Sequence, residues 1–261
     1  MIPYFELKTI ELGPLTIYVW GLFVALGIVA GLLISRWFAK KKGLDPKIIS
    51  DLTGWVVLAG VVGARLFHVL FYDLGTYIEN PFSVFYIWEG GMSIFGGFFG
   101  AVIVGVWYLK YKKLQVLSYV DAVVFGLPWG LFVGRIGCFL IHDHPGIQTD
   151  FFLGVLYPDG IIRHDHGLYL SLLGLAIGLW FLRSIKMKTP AGYYAAMFTL
   201  FYGIFRIQID ELRLLDVTYW GFTPGQYFSL LLVLLGIFMF GWINRDKINA
   251  GRRLTNKDNR L

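Results

Sequence analysis

Seven apolar stretches, each about as long as a bilayer is thick, constrain this chain more than any other feature. A bilayer core needs about 20 mostly apolar residues per helix. No charge occurs between Glu11 and Arg36, a run covering residues 12–35. Further stretches cover residues 52–72, 90–109, 115–141, 167–182, 191–209 and 217–244, and only Arg65, Asp121, Arg135 and Arg206 interrupt them. Soluble domains carry about 25% charged residues. Here the fraction is 15%, against 57% hydrophobic and a mean hydropathy of +0.64. That is too little charge to cover a water-soluble surface. An aromatic content of 18% excludes a disordered chain, and a single cysteine, Cys138, excludes a disulfide scaffold or a Cys-rich zinc module. The expected class is an all-α polytopic membrane protein with seven transmembrane helices.

Cytoplasmic loops are enriched in Lys and Arg. The loops after spans one, three and five, with the tail, hold 17 of the 23 basic residues, whereas the opposite side holds Lys8, Arg163 and Arg213. That opposite side also carries 12 of the 17 acidic residues. The N-terminus is therefore expected outside and the C-terminus in the cytoplasm. Residues 1–244 form one transmembrane domain with external loops at 73–89, 142–166 and 210–223, and 245–261 form a basic, solvated, partly disordered tail. The net charge of +6 reads as topology plus contact with anionic lipid, not as a nucleic-acid surface. No basic segment precedes the first span, so a cleaved signal is not expected.

Charges inside spans are costly and usually functional. In this topology Arg65, Arg135 and Arg206 all lie toward the outer leaflet. A guanidinium grips a phosphate through two parallel hydrogen bonds and stays charged when buried. Three of them at one depth point to a phospholipid head group as ligand. The competing reading is snorkelling or pairing, as Arg206 with Asp210 one turn away. Asp121 reads as structural. All five histidines lie on the outer half: His68 shares a helical face with Arg65, and His142-Asp143-His144 is repeated as His164-Asp165-His166. Two His-x-His pairs could clamp one metal ion, but nothing in the sequence brings them together, so no cofactor is expected. Gly126, Gly130 and Gly134, like Gly96 and Gly100, are spaced for close helix packing. Gly90-Gly91 and Gly96-Gly97 also frame a helix start whose free N–H groups suit a phosphate. The aromatic, base-free segment 77–88 reads equally as an interfacial arm or a packed loop.

These residues resemble the bacterial prolipoprotein diacylglyceryl transferases over about residues 15–243. The resemblance rests on Gly63-Ala64-Arg65-Leu66 with Val69-Leu70-Phe71-Tyr72, then Glu89-Gly90-Gly91-Met92-Ser93 with Gly96-Gly97. It continues through Gly134-Arg135-Ile136-Gly137, Arg163-His164, Leu168-Tyr169, Tyr202-Gly203-Ile204-Phe205-Arg206, and Gly221-Phe222-Thr223 with Gly225-Gln226. The resemblance implies transfer of diacylglycerol from phosphatidylglycerol to the lipobox cysteine of a prolipoprotein signal peptide, on the outward face of a bacterial inner membrane. It implies that Arg135 and Arg206 neutralise the phosphate, that Tyr202 orients the head group, and that Asp210, where the family has Glu, positions Arg206 or moves a proton. Arg65, Gly96 and Gly97 complete the expected substrate site.

Where the family usually has His or Tyr as base, this chain has Phe95, which accepts no proton. The expected base is therefore another imidazole, His164 and His142 first, with His68, His144 and His166 as the other candidates. Cys138 and Ile141 stand where Asn is common. The alternative from another class is a catalytically lapsed homologue that binds anionic phospholipid or lipoprotein precursors. A channel is disfavoured because the charges cluster on one side, and a metal-dependent lipid hydrolase would require the doubled His-Asp-His to bind metal.

Overall fold

The structure, a computed structural model, describes residues 1–87, 90–214 and 218–258, with side chains as far as Arg245. Among the described residues six helices are long and apolar enough to cross a membrane. They are α1 (Val19–Lys41), α2 (Pro46–Phe71), α4 (Ile94–Tyr111), α5 (Val116–Ile141), α6 (His166–Ser184) and the Pro224–Arg245 part of α8 (Pro224–Asp258). The sixth predicted span is α7 (Tyr193–Asp210), whose 18 residues include Arg206, Gln208 and Asp210 and fall short of the others in apolar content. A polytopic, mostly helical membrane protein is what this architecture describes.

The all-α expectation needs correction, because short strands flank the helices. A four-stranded sheet runs in the order β1 (Ile2–Pro3), β5 (Val155–Leu156), β6 (Ile162–Asp165) and β4 (Pro145–Gln148); only the β1–β5 pair is parallel. Three of its strands lie in the predicted loop 142–166, and β1 joins them from the N-terminus. A hairpin of β2 (Thr9–Leu12) and β3 (Leu15–Tyr18) takes the start of the first predicted span. Gly13, at φ +62°, makes the turn with Pro14, so the apolar run begins as a strand and becomes helical only at Val19. The helix then continues past Arg36 to Lys41. Likewise α8 starts at Pro224, not at 217, and extends to Asp258, into the predicted tail, where the side chains lie outside the described residues.

The chain forms two compact units. In the unit of residues 39–119, α2 starts on an Asp45 cap that accepts from Lys47 N–H at 2.8 Å, with Pro46 in the first turn. It packs on α4 through facing glycines. A Cβ added to Gly63 would sit 2.5 Å from the Gly96 carbonyl oxygen, so only a bare backbone fits there. Between the two helices the chain makes the short α3 (Leu74–Glu79) and a 3-10 turn (Pro81–Phe85), neither with a buried residue.

The other unit joins residues 1–38 to 120–261. Here α1 meets α5 through a second glycine face, where a Cβ on Gly27 would lie 2.6 Å from the Gly130 carbonyl. At one end of the unit Phe38, Phe125, Phe181 and Tyr194 form a buried aromatic cluster, with Phe38 and Phe125 stacked at 4.0 Å. Asp121 is structural, as expected. Its two oxygens accept from Gly192 N–H at 2.8 Å and Ala195 N–H at 2.9 Å, capping α7. At the opposite end α5 and α7 finish while α6 and α8 begin, and the sheet covers this end.

Candidate functional site

On α7, Tyr202, Arg206 and Asp210 are spaced by four residues and share one face. Asp210 closes the row with its side chain wholly buried, and its Oδ1 lies 2.9 Å from Nη2 of Arg206 and 4.0 Å from Nη1 of Arg213. The other oxygen accepts the Thr223 hydroxyl in a short hydrogen bond. Thr223 is the cap of α8. Its backbone N–H donates to Gln226 Oε1 at 2.9 Å, and its hydroxyl accepts from Gln226 N–H at 3.1 Å. This reciprocal capping box fixes the hydroxyl that fixes the carboxylate that orients Arg206. Gly225 has to be glycine here, because a Cβ would approach Asp210 Oδ2 to 2.5 Å. Arg206 keeps 16% of its side chain exposed, and Tyr202 stacks on Phe198 with no hydrogen bond on its hydroxyl among the described residues.

Arg135 lies on the last turns of α5, at the same end of the unit. The start of α6 is seated on it: a Cβ on Gly167 would collide with the backbone of Cys138 and Phe139. Nε2 of His166 donates to the Ile209 carbonyl at 2.7 Å, tying the start of α6 to the end of α7. The guanidinium of Arg135 is half-buried, and its one hydrogen-bond contact among the described residues is a weak one, Nη1 to Cys138 Sγ at 3.8 Å. Among the described residues no carboxylate forms an ion pair with it. Such a fork is ready for an anion.

The histidines serve separate ends. His142 has both ring nitrogens engaged, Nδ1 at 2.7 Å from Asp165 Oδ2 and Nε2 at 3.2 Å from the Phe5 carbonyl, and Tyr4 stacks on it at 4.5 Å. Asp165 also accepts from the Tyr157 hydroxyl at 3.2 Å and caps α6 through Leu168 N–H at 3.0 Å. Burial, then the Asp165 charge, raise the pKa of Tyr157, so it stays a donor. His142 thus holds the N-terminal segment to the cap. His144 faces Asp143 at 2.7 Å. Among the described residues no three His, Cys, Asp or Glu side chains are grouped to hold a metal ion, so the two His-x-His pairs do not form the four-imidazole clamp.

His164, on β6, is different. It is half-buried, its Nδ1 lies 2.6 Å from the Tyr169 hydroxyl, and Nε2 carries no hydrogen bond among the described residues. Burial lowers its pKa below the usual 6.5, so the ring is neutral near pH 7. With Nδ1–H donated to Tyr169, Nε2 presents a lone pair.

In the unit of residues 39–119, Arg65 is 5% exposed and fully committed. Nε donates to Val84 O at 2.9 Å, Nη1 to the carbonyls of Gly90 and Gly91, and Nη2 to Ser83 O at 2.6 Å and Tyr86 O at 3.2 Å. A guanidinium has five N–H donors, and five carbonyls take them. Tyr77 lies under the same group at 5.2 Å. Arg65 therefore staples the segment after α2 and has no donor left for a phosphate. Gly97 N–H is also occupied, by Ser93 O at 3.0 Å, and Gly96 is packed on α2 against Gly63 and Phe67. Their visible role is close helix contact. His68 stacks on Tyr72 at 5.5 Å and touches the Gly91 position. The aromatic segment has its backbone pinned by Arg65 while Ile78, Phe82 and Phe85 stay exposed, and Trp88 and Glu89 lie outside the described residues. The roles that sequence reasoning missed are Thr223 as a link to Asp210, which the Thr-x-x-Gln spacing signals, and Tyr169 as the partner of His164, although both residues stand in the motifs of the family resemblance.

Fold and site together define a multi-pass membrane protein that gathers cationic and titratable groups at one end of its helices. Residues 8–242 match the prolipoprotein diacylglyceryl transferase family, and the chain belongs to that family. It is 36% identical over 250 residues to a phosphatidylglycerol–prolipoprotein diacylglyceryl transferase of Solidesulfovibrio magneticus, covering 91% of this chain and 94% of that one. The protein of the same name from Pseudomonas savastanoi pv. phaseolicola is 35% identical over 261 residues, covering 93% and 95%. That of Nitratidesulfovibrio vulgaris is 34% identical over 254 residues, covering 91% and 94%.

Proposed function

We infer that this protein transfers the diacylglyceryl group of phosphatidylglycerol to the cysteine thiol of a prolipoprotein. Beside family membership, the observation that carries this reading is Arg135, a half-buried guanidinium whose one hydrogen-bond contact among the described residues is a thiol sulfur at 3.8 Å. The acceptor is the lipobox cysteine of a signal peptide. Its thiolate attacks the glycerol carbon that bears the phosphate ester. A C–S bond forms, the C–O bond breaks, and glycerol phosphate leaves with the electron pair. Charge grows on the departing phosphate, where fixed positive groups act most strongly. Arg135 takes two of its oxygens, Arg206 turns its exposed edge to the same group while Asp210 holds the other edge, and Tyr202 donates to the head group.

The thiol proton goes to Nε2 of His164 and from there to solvent. A thiol of pKa near 8.5 is only about 3% ionised at pH 7, so this base raises the population of the nucleophile. The displacement balances without a cofactor. In the membrane, α7 is the sixth of seven spans, carried inside the bundle by its buried Tyr194, Ala195, Ala196, Met197 and Phe198. The excess of Lys and Arg in alternate loops supports a cytoplasmic C-terminus, an outside N-terminus and an outward active end in a bacterial inner membrane.

The test is reconstitution in phosphatidylglycerol liposomes with a lipobox-cysteine peptide. The expected product is the peptide with one added diacylglyceryl group by mass spectrometry. Protein that retains phosphatidylglycerol yet forms no thioether would instead support the lapsed, lipid-binding reading.

A further inference from the structure

Just before α8 the chain makes a two-residue hairpin whose tip is at odds with its own backbone. Tyr219 and Phe222 exchange both backbone hydrogen bonds, at 2.8 and 3.1 Å. Trp220 and Gly221 form the tip at φ +49° and +85°. Two successive positive φ values define a type I′ turn, which favours Asn-Gly. Gly221 fits; a bulky residue at position 220 is strained there. Strain at a loop residue persists where surroundings or function require it. The surroundings do not, since Trp220 is 98% exposed.

The hairpin itself is held firmly. The Tyr227 hydroxyl, on the first turn of α8, donates to Tyr219 O at 2.7 Å, and its ring meets Phe222 edge-on at 5.8 Å. Thr223 starts α8 through its capping box, so the tip is fixed relative to the first residue of a membrane span. No residue from 218 to 224 is charged. Tyr219 and Phe222 are also exposed, and the apolar surface continues along α8 through exposed Leu230, Leu231 and Leu234.

We propose that Trp220 anchors this hairpin in the interfacial layer of the lipid bilayer, holding the start of α8 at a set depth. Trp suits that layer because its ring is apolar and its N–H remains able to bond to water or head groups. Lipid is the occupant because the tip continues the apolar face of a spanning helix and sits within one turn of its first residue.

The experiment uses the full chain in vesicles of phosphatidylglycerol and phosphatidylcholine. Cys138 is buried, so a nitroxide on Trp220→Cys labels one position. Asp150→Cys, on an exposed loop, is the aqueous control. At 220 the accessibility ratio of oxygen to a water-soluble nickel complex is expected several-fold above the control. In unlabelled protein, bromines high on the acyl chain quench the emission that Trp220→Phe removes, and bromines near the chain end quench it less. A ratio equal to that of the control, or emission insensitive to both lipids, overturns the proposal. A label that becomes immobilised only on adding an apolar signal-type peptide overturns it too, in favour of a polypeptide partner.

Discussion

Arg65 and Arg135 sit on apolar helices, each within two turns of the helix end, and sequence position alone gives them the same meaning. The structure uses them in opposite ways. Arg65 places five donors on five carbonyls from residues 83–91, fixing the chain between α2 and α4. Among the described residues Arg135 has one hydrogen-bond contact, to sulfur at 3.8 Å, and no ion pair. Even a half-buried cation loses hydration that no anion here makes up. A protein keeps one where a ligand supplies the missing charge. Counting donors against acceptors separates the staple from the binding group, and intramembrane depth does not. Arg206 stands between them, paired with Asp210 and with 16% of its side chain exposed.

The largest effect is expected from Arg65→Gln, which orphans several carbonyls at once. Stability should fall by about 3–5 kcal/mol, and amide exchange should rise across residues 73–87. Unchanged exchange there would remove the staple role. Arg135→Gln should lower the transfer rate by about 10²–10³-fold while its thermal midpoint stays near that of the wild type; a fall in midpoint matching that of Arg65→Gln would make the two arginines equivalent. Next, His164→Ala should cost about 30-fold at pH 7, the reciprocal of the free thiolate fraction, with the loss shrinking toward pH 8.5. In the wild type the lowered pKa keeps His164 neutral at pH 7, so rate falls only as acid brings the pH down through that value. Stability moves the same way, because the unfolded ring takes up its proton first, near 6.5. A pH-independent deficit in His164→Ala would point to a structural role. Thr223→Val should have the smallest effect, about 1–2 kcal/mol from the lost cap, with a drop in kcat as Asp210 loses its orientation. An unchanged kcat would detach the capping box from the site.

Much of the helical frame was legible because charge-free runs of bilayer length are hard to misread. The predicted span 115–141 differs from α5 by one residue, and 167–182 differs from α6 by one residue at its start and two at its end. The glycine faces at 96/100 and 126/130/134 were legible from spacing and pack as read. The start of α1 was not, because hydropathy does not distinguish the strand at Leu15–Tyr18 from a first helical turn. The covering sheet escaped because its strands are two to four residues long and pair across the chain.

At the site, the Arg206–Asp210 pair follows from four-residue spacing. The fate of Arg65 does not, since its partners are main-chain carbonyls 18–26 residues away, which side-chain patterns do not report. The repeated His-Asp-His looked like one feature, yet each imidazole faces a different neighbour. Sequence symmetry there says nothing of which strand or helix end each ring will meet.

The most direct test is the initial rate of diacylglyceryl transfer by Arg135→Gln in phosphatidylglycerol liposomes, normalised to folded protein. The expected rate is at least about 10²-fold below wild type in a variant that folds normally. A rate within about twofold of wild type, against the loss expected for a fixed positive group at the leaving phosphate, would contradict Arg135 as the group that holds it.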